Sequence, residues 1–430
     1  MRTQPYPVPN RNVFRSRGAA VLAVATAWLA ACGGAEEPTS LAEGSETASN
    51  GAAGGPGPAL SQPARDEGFI EGEVEVGGAC ASEVASETFA SAVCSCEDVN
   101  VAGFLRTTRF RSRPAPSAAG EELTGGSVGV NRDYFTAGYA DVAGNFTVAG
   151  DRDVAFGGYL KAGADIRANP ELDVAGLVRV GRDAFLKSDA RVIGRVEIGR
   201  DLYMDAGAAF NGIALLDVGG ERRTQAVEIE PPCPCAAGEI IDVAALVDQA
   251  EADNDNARVG LDPDELGLVV GIGAETTLPS GRYFVRELGG VGSFTLHVEG
   301  KVALFVANDW IATGLFRVEL APDAELDVFV RGNLLVTGAA SFGDPERPSA
   351  TRIYVGGTGD VAIAGASAFV GNLYAPAANV LIGGVGKVYG SLFGKNVVAA
   401  GFLDLGYDLS VRDGGRDCPP VDAGDIPRIE

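Results

Sequence analysis

The 430-residue sequence has a single histidine, His297, two methionines and two tryptophans. With one histidine no His-rich metal centre can form, and a Ser-His-Asp arrangement exists only if His297 itself serves. Cationic side chains are also scarce: 34 Lys and Arg stand against 58 Asp and Glu, giving a net charge of −24. Nucleic acid is excluded as a partner on that balance, because phosphate contacts need clustered Lys and Arg. The Gly-x-Ser-x-Gly elbow, His-Glu-x-x-His, the P-loop and the strand–Gly-x-Gly-x-x-Gly–helix fingerprint are all missing. Aromatic residues are only 7% of the chain, which leaves little for sugar-stacking platforms. Glycine, by contrast, is abundant at 60 residues, without the strict period of collagen. At 46% hydrophobic residues the chain can bury a core.

Arg11, Arg15 and Arg17 precede the apolar run Gly18 to Ala31. As a helix this run covers about 21 Å, short of the ~30 Å hydrocarbon core, so it reads as the h-region of a signal peptide, residues 1–31, and not as a membrane span. It ends in Leu29-Ala30-Ala31-Cys32, which resembles the lipobox of bacterial lipoproteins. The resemblance implies cleavage before Cys32 and acylation of its thiol, hence a membrane partner through the lipidated N-terminus. Gly33 follows where an inner-membrane retention Asp would stand, which favours the outer membrane. Residues 32–67 are rich in Gly, Ala, Ser, Pro and Glu, cannot bury a core, and read as a disordered tether.

Six further cysteines remain: Cys80, Cys94, Cys96, Cys233, Cys235 and Cys418. An even number outside the cytoplasm points to three disulfides, whose connectivity the sequence leaves open. The alternative is one ion held by Cys94-Ser95-Cys96 and Cys233-Pro234-Cys235. Helical stripes adjoin both pairs, over 81–93 and over 239–251, so the two cysteine–helix units read as one capping device used twice.

Between 125 and 220 the chain repeats. Val130-Asn131-Arg132-Asp133-Tyr134-Phe135 recurs as Val180-Gly181-Arg182-Asp183-Ala184-Phe185 and as Ile198-Gly199-Arg200-Asp201-Leu202-Tyr203, with a looser copy from Gly150 to Asp153. The last two full copies lie 18 residues apart, enough for three short strands and three glycine-bearing corners. Alternations such as Val178/Val180 give each strand one buried side. The expectation is an all-β parallel β-helix in two segments, 68–232 and 233–412, each opened by a short capping helix and followed by a tail over 413–430. An antiparallel barrel or sandwich is the competing architecture. The Arg-Asp pairs are expected at solvated corners and not as a binding ladder. In periodicity the repeats are similar to bactofilins, which implies a capacity for self-association.

Asn372-Leu373-Tyr374-Ala375-Pro376, Tyr389-Gly390-Ser391-Leu392-Phe393 and the closing Tyr407-Asp408 resemble a domain-of-unknown-function family found in bacterial surface lipoproteins and adhesin-like proteins. Gly406 stands where that pattern often has His. The resemblance implies a β-helical fold and a cell-envelope setting, and no reaction. Asp253, Asp255, Asp262 and Asp264 form the densest acidic cluster; calcium is a candidate ligand, although the loop lacks the Gly and spaced Glu of an EF-hand. Otherwise no cofactor is expected. His297 sits in an alternating strand as a packed or surface residue. The functional expectation is a non-catalytic, lipid-anchored structural or adhesive scaffold, with an envelope polysaccharide or protein as partner. The alternatives are a polysaccharide-active enzyme, which needs a groove of converging Asp and Arg or Lys, and a bactofilin-like polymer.

Overall fold

The computed structural model describes residues 75–76, 79–114, 123–152, 154–212, 215–338, 340–365, 368–384, 386–413 and 427–429. The expected signal peptide and tether, with Cys32 and Cys418, lie outside them.

The parallel β-helix is the fold observed, with about 13 turns. In the repeat region each turn carries three three-residue strands, as in Ile166–Ala168, Leu172–Val174 and Val178–Val180. Each pairs in parallel with the strand 18 residues on: Ile166 faces Ala184, Leu172 faces Ala190 and Val178 faces Val196. The first and third residues of these strands are buried and the middle one points outward, which is why the sequence reads apolar–polar–apolar between corners. Stacking turns joins the strands into three sheets. Face A contains Leu172–Val174, face B Val178–Val180 and face C Ile166–Ala168.

The strand order joins the two segments, and the expectation that each is opened by its own cap is corrected. Val93–Ser95 pairs with Val128–Val130 on one side and with Leu392–Gly394 on the other. The same holds on face A, where Val99–Val101 lies between Val397–Ala399 and Tyr134–Thr136. On face B, Leu105–Phe110 lies beside Leu403–Asp408. The two halves are therefore one continuous stack in permuted order: 268–408 runs up to the junction and 93–224 continues beyond it. Thirteen turns at ~4.8 Å make a column about 60 Å long.

This order leaves the chain at the far end after Thr224, and it must return along the outside. Residues 225–242 form that strap. Cys233 joins Cys94, and Cys235 joins Cys96, each across 139 residues with Cα atoms 5.6 Å apart. Pro232 and Cys233 lie over Gly129, where an added Cβ would come within 3.2 Å of both.

Helix α1 (Ala81–Thr88) and helix α2 (Val243–Ala252) fall in the two predicted helical stretches. Asp242 starts α2 by accepting from the Ala245 amide at 3.0 Å. Neither helix closes an end of the column. Both lie along the outside of face C in the half formed by 268–408. There Val243, Leu246, Val247 and Ala250 of α2 join one buried cluster with Val84, Ala85 and Phe89 of α1 and the outward-facing Phe284, Phe305, Phe329 and Tyr354. An apolar stripe shows which face of a helix is buried but not against what, and here the available apolar surface was the flank. Phe305, Phe329 and Tyr354 stack in succession, 4.9 and 4.7 Å between ring centroids. Each fully buried aromatic contributes roughly 1.5–3 kcal/mol.

The two ends differ. At the 268 end, Leu261 and Leu266 enter the main core. Asp255 donates its amide to the Arg282 carbonyl at 2.7 Å, while Asn256 bonds both the N–H and the C=O of Phe284. At the 224 end, Met204, Phe210, Leu216 and Val218 are only partly buried against that core. Among the described residues no helix is long and apolar enough to cross a membrane.

Candidate functional site

The residues most suggestive of chemistry gather around the junction of the two halves. Tyr407 and Asp408 end the strand Leu403–Asp408, and Asp408 is fully buried. Its carboxylate accepts four bonds: the Ser112 amide at 3.0 Å and hydroxyl at 2.5 Å, the Ser349 amide at 3.3 Å and the Ser410 amide at 3.0 Å. Four donors fix both oxygens, so Asp408 ties the segment after Leu105–Phe110 to the opposite half. Tyr407 donates to the Phe89 carbonyl at 2.7 Å and receives Arg412 at 2.8 Å. Burial pushes its phenol up to about 12, against the opposing pull of Arg412.

Beside Asp408 lies a buried ionic group that the sequence reading missed. Arg352, 4% exposed, donates to Asp327 at 2.6 and 2.8 Å, to Glu325 at 2.8 Å and to the Ser349 carbonyl at 3.2 Å. Arg113 reaches Glu325 at 2.7 Å. Burial raises the Glu325 carboxyl, but Arg352 and Arg113 outweigh it and bring it down to about 2. The available signal was a charge at the centre of apolar strands, in Glu325-Leu-Asp-Val-Phe-Val330 and Thr351-Arg-Ile-Tyr-Val355. The arginines after Leu105 open no basic groove: Arg106 pairs with Asp404, Arg111 with Asp413 and Arg113 with Glu325.

The other motif residues are also spent on architecture. Asn372 donates to the Pro348 and Thr351 carbonyls at 2.9 and 3.2 Å and accepts from Ser391 at 3.0 Å. The Tyr374 hydroxyl accepts the Ile241 amide of the strap at 3.1 Å, and Phe393 meets the Tyr374 ring edge-on at 4.9 Å. Together with Glu87, Glu239 and Arg428 these two rings line a cleft of about 430 Å³ between α1 and the strap.

Of the predicted cysteines, four form the strap disulfides, which settles two of the three pairings; Cys80 ends the short strand Ala79–Cys80. The expected solvated Arg-Asp corners are corrected in one respect: Asp133 and Asp183 are buried, while Asp201 is half-buried. Asp183 accepts the amide of Asp201 at 3.1 Å and pairs with Arg200, while Asp165, 2% exposed, holds Arg182 at 3.1 Å. Burial raises the Asp183 carboxyl, yet Arg200 and the Asp201 amide hold it below the usual carboxylate range.

In the acidic loop, Asp253 pairs with Arg282 at 3.4 Å, Asp255 with Arg258 at 3.1 Å and Asp264 with Arg286 at 2.5 Å; Asp262 accepts the Asp264 amide at 2.9 Å. Among the described residues no three His, Cys, Asp or Glu side chains are grouped as metal ligands. His297 projects from face B between Glu275 at 3.7 Å and Glu319 at 3.3 Å.

Residues 228–413 match a family described as Domain of unknown function (DUF7305). That span holds the strap from Glu228, α2 and the whole half from 268 to 408. No curated protein matches the chain. A solved structure, an ice binding protein from an Antarctic bacterium Flavobacteriaceae, is 13% identical over 76% of this chain and 97% of its own, with a TM-score of 0.18.

Proposed function

We propose that this protein is a non-catalytic scaffold of the cell envelope, held at the outer membrane by acyl groups on Cys32 and carried off the lipid surface by the tether 32–67. The observation that supports the scaffold reading is the use made of its reactive side chains. Asp408, Tyr407, Arg352, Glu325, Asp183 and the four strap cysteines all bond within the column. Such groups hold the turns in register and face no substrate. The anchoring half of the proposal rests on the lipobox-like Leu29-Ala30-Ala31-Cys32, and an acylated, firmly held N-terminus needs more than one chain. The two disulfides suit an oxidising compartment.

The polysaccharide-active alternative requires acids and bases converging in an open groove. Glu325, Asp327, Arg352 and Arg113 do converge, but three of them are buried, and a sugar chain would have to displace a complete set of charge-assisted bonds. In this proposal an envelope polysaccharide or protein binds the column's outer faces and is not cleaved.

Fractionation of cells producing the Cys32→Ala chain tests the anchor. Release of the protein from membranes is the expected result, and persistent membrane association would defeat it. Release of reducing sugar from an envelope polysaccharide by the purified protein would defeat the scaffold reading.

A further inference from the structure

The last turn, at the 224 end, is the less covered of the two ends of the stack. Its three strands, Phe210–Asn211 on face A, Leu215–Val218 on face B and Arg222–Thr224 on face C, each pair only with the turn beneath among the described residues. Half of the N–H and C=O groups of a parallel edge strand point away from its neighbour, so this end offers a triangular rim of backbone groups, one of which, the Leu216 carbonyl, takes Arg222 at 3.1 Å. Inside the rim, Phe210, Leu216 and Val218 occupy the inward positions above Ala190, Val196 and Ile198, and they remain partly exposed. Leu215 on the outside is 46% exposed. At its opposite end the column covers the core with Leu261 and Leu266 and bonds the strand edge with Asp255 and Asn256.

We propose that this end is a self-association surface, and that two copies of the chain meet through it about a two-fold axis to form a closed dimer. A partner must present a matching triangle of strand edges, and a second copy of the same turn does so by symmetry. Facing turns circulate in opposite senses, so the strands across the joint run antiparallel. An axis through the middle of face A sets Phe210–Asn211 against its own copy and lays Leu215–Val218 against Arg222–Thr224 of the other chain, twice over. The charges suit this arrangement. Asp217 is the outward residue of its strand, above Glu197, and Arg223 the outward residue of its own, above Tyr203, where it pairs with the exposed Glu221 at 2.8 Å and can take a second carboxylate. The two-fold therefore brings Asp217 to Arg223 of the partner subunit at both ends of the joint, and the arrangement is self-complementary.

The covered end stops growth beyond two. On face C the edge of Gly281–Val285 already bonds Asp255 and Asn256, so no complete further turn can stack there. Filaments are excluded by the same geometry that permits the dimer.

The test is sedimentation velocity on the full chain carrying Cys32→Ala, with concentration varied over a hundredfold range at physiological salt. A monomer–dimer equilibrium is expected. Asp217→Arg alone and Arg223→Asp alone should each weaken it by about tenfold or more, and the double exchange should restore it. Both residues are exposed, and circular dichroism melting of each variant confirms that it is folded. Particles in negative stain should be about twice the length of one column. A monomer at every concentration would overturn the proposal. So would single exchanges that leave the dimer intact, or particles that grow into filaments. None of these readouts depends on where the Cys32→Ala chain fractionates.

Discussion

Asp183 receives the backbone amide of Asp201 at 3.1 Å, one turn higher and eighteen residues later, while the neighbouring Arg200 closes on the same carboxylate. The contact recurs along the column. Asp98 takes the amide of Asp133 at 3.3 Å, Asp165 that of Asp183 at 3.3 Å, and Asp201 that of Glu221 at 2.8 Å. At these corners no ladder bond satisfies the amide, and the aspartate of the turn below takes its place.

Asp183→Ala should therefore strand a backbone amide and an arginine at once. A loss of about 1–3 kcal/mol is expected, within the range for an unmade hydrogen bond to a buried group. Asp183→Asn keeps one acceptor and should lose less. Urea denaturation of both variants measures the difference, and equal losses would show that the acceptor kept by Asn contributes nothing.

The strap disulfides close almost the same loop twice. A single cross-link over this length removes roughly 4–5 kcal/mol of chain entropy from the unfolded state, and a second one two residues away has little left to remove. Cys235→Ser alone should thus cost much less than Cys233→Ser combined with Cys235→Ser. The double variant should lose several kcal/mol and become cleavable by protease between residues 225 and 242. Additive losses in melting experiments would contradict this account.

With Cys94, Cys96, Cys233 and Cys235 paired, Cys80 and Cys418 are the two cysteines left after Cys32. A Cys80–Cys418 disulfide is expected when the protein is made in an oxidising compartment. Non-reducing peptide mapping should find it, and alkylation of either thiol before reduction would count against it.

Stability should fall with acid in a defined window. Glu325 is held at about 2 and Asp183 below its ordinary value. A carboxyl depressed by folding stabilises the native state fully above its unfolded value and loses that contribution as pH falls through the folded one. The decline should start near pH 4.5 and continue to about 2, with Glu325 accounting for about 3 kcal/mol. Melting temperatures of Glu325→Gln and the parent protein across that range should converge at the acid end.

Arg352→Met removes the buried cation that Glu325 and Asp327 share. A loss of about 3–5 kcal/mol is expected, read by chemical denaturation; a variant as stable as the parent would show that the two carboxyls take up protons without cost.

The repeat half was readable because its contacts are local: eighteen residues separate Val178 from its neighbour Val196, and the Gly-Arg-Asp corners mark each turn. The permuted order was not, because it depends on Leu105–Phe110 meeting Leu403–Asp408, nearly three hundred residues away, and no periodicity spans that gap. The cysteine pairs were seen as two devices when they form one. The clue was present in the spacing, since 94 to 233 and 96 to 235 are the same 139 residues. Tyr407-Asp408 was found by motif, yet its role as an anchor follows only from Ser112, Ser349 and Ser410 arriving from three separate segments. Arg352 escaped notice because a single charge in a strand announces neither its burial nor its partners.

The permuted stack also sets a timetable for synthesis. Residues 93–110 leave the ribosome early and can seat residues 128–224 upon themselves one turn after another. Their other edge has no neighbour until residues 387–408 have been made and threaded beneath. A nascent chain therefore carries an open sheet edge through most of its translation, and the last strands to emerge are the ones that shield the first.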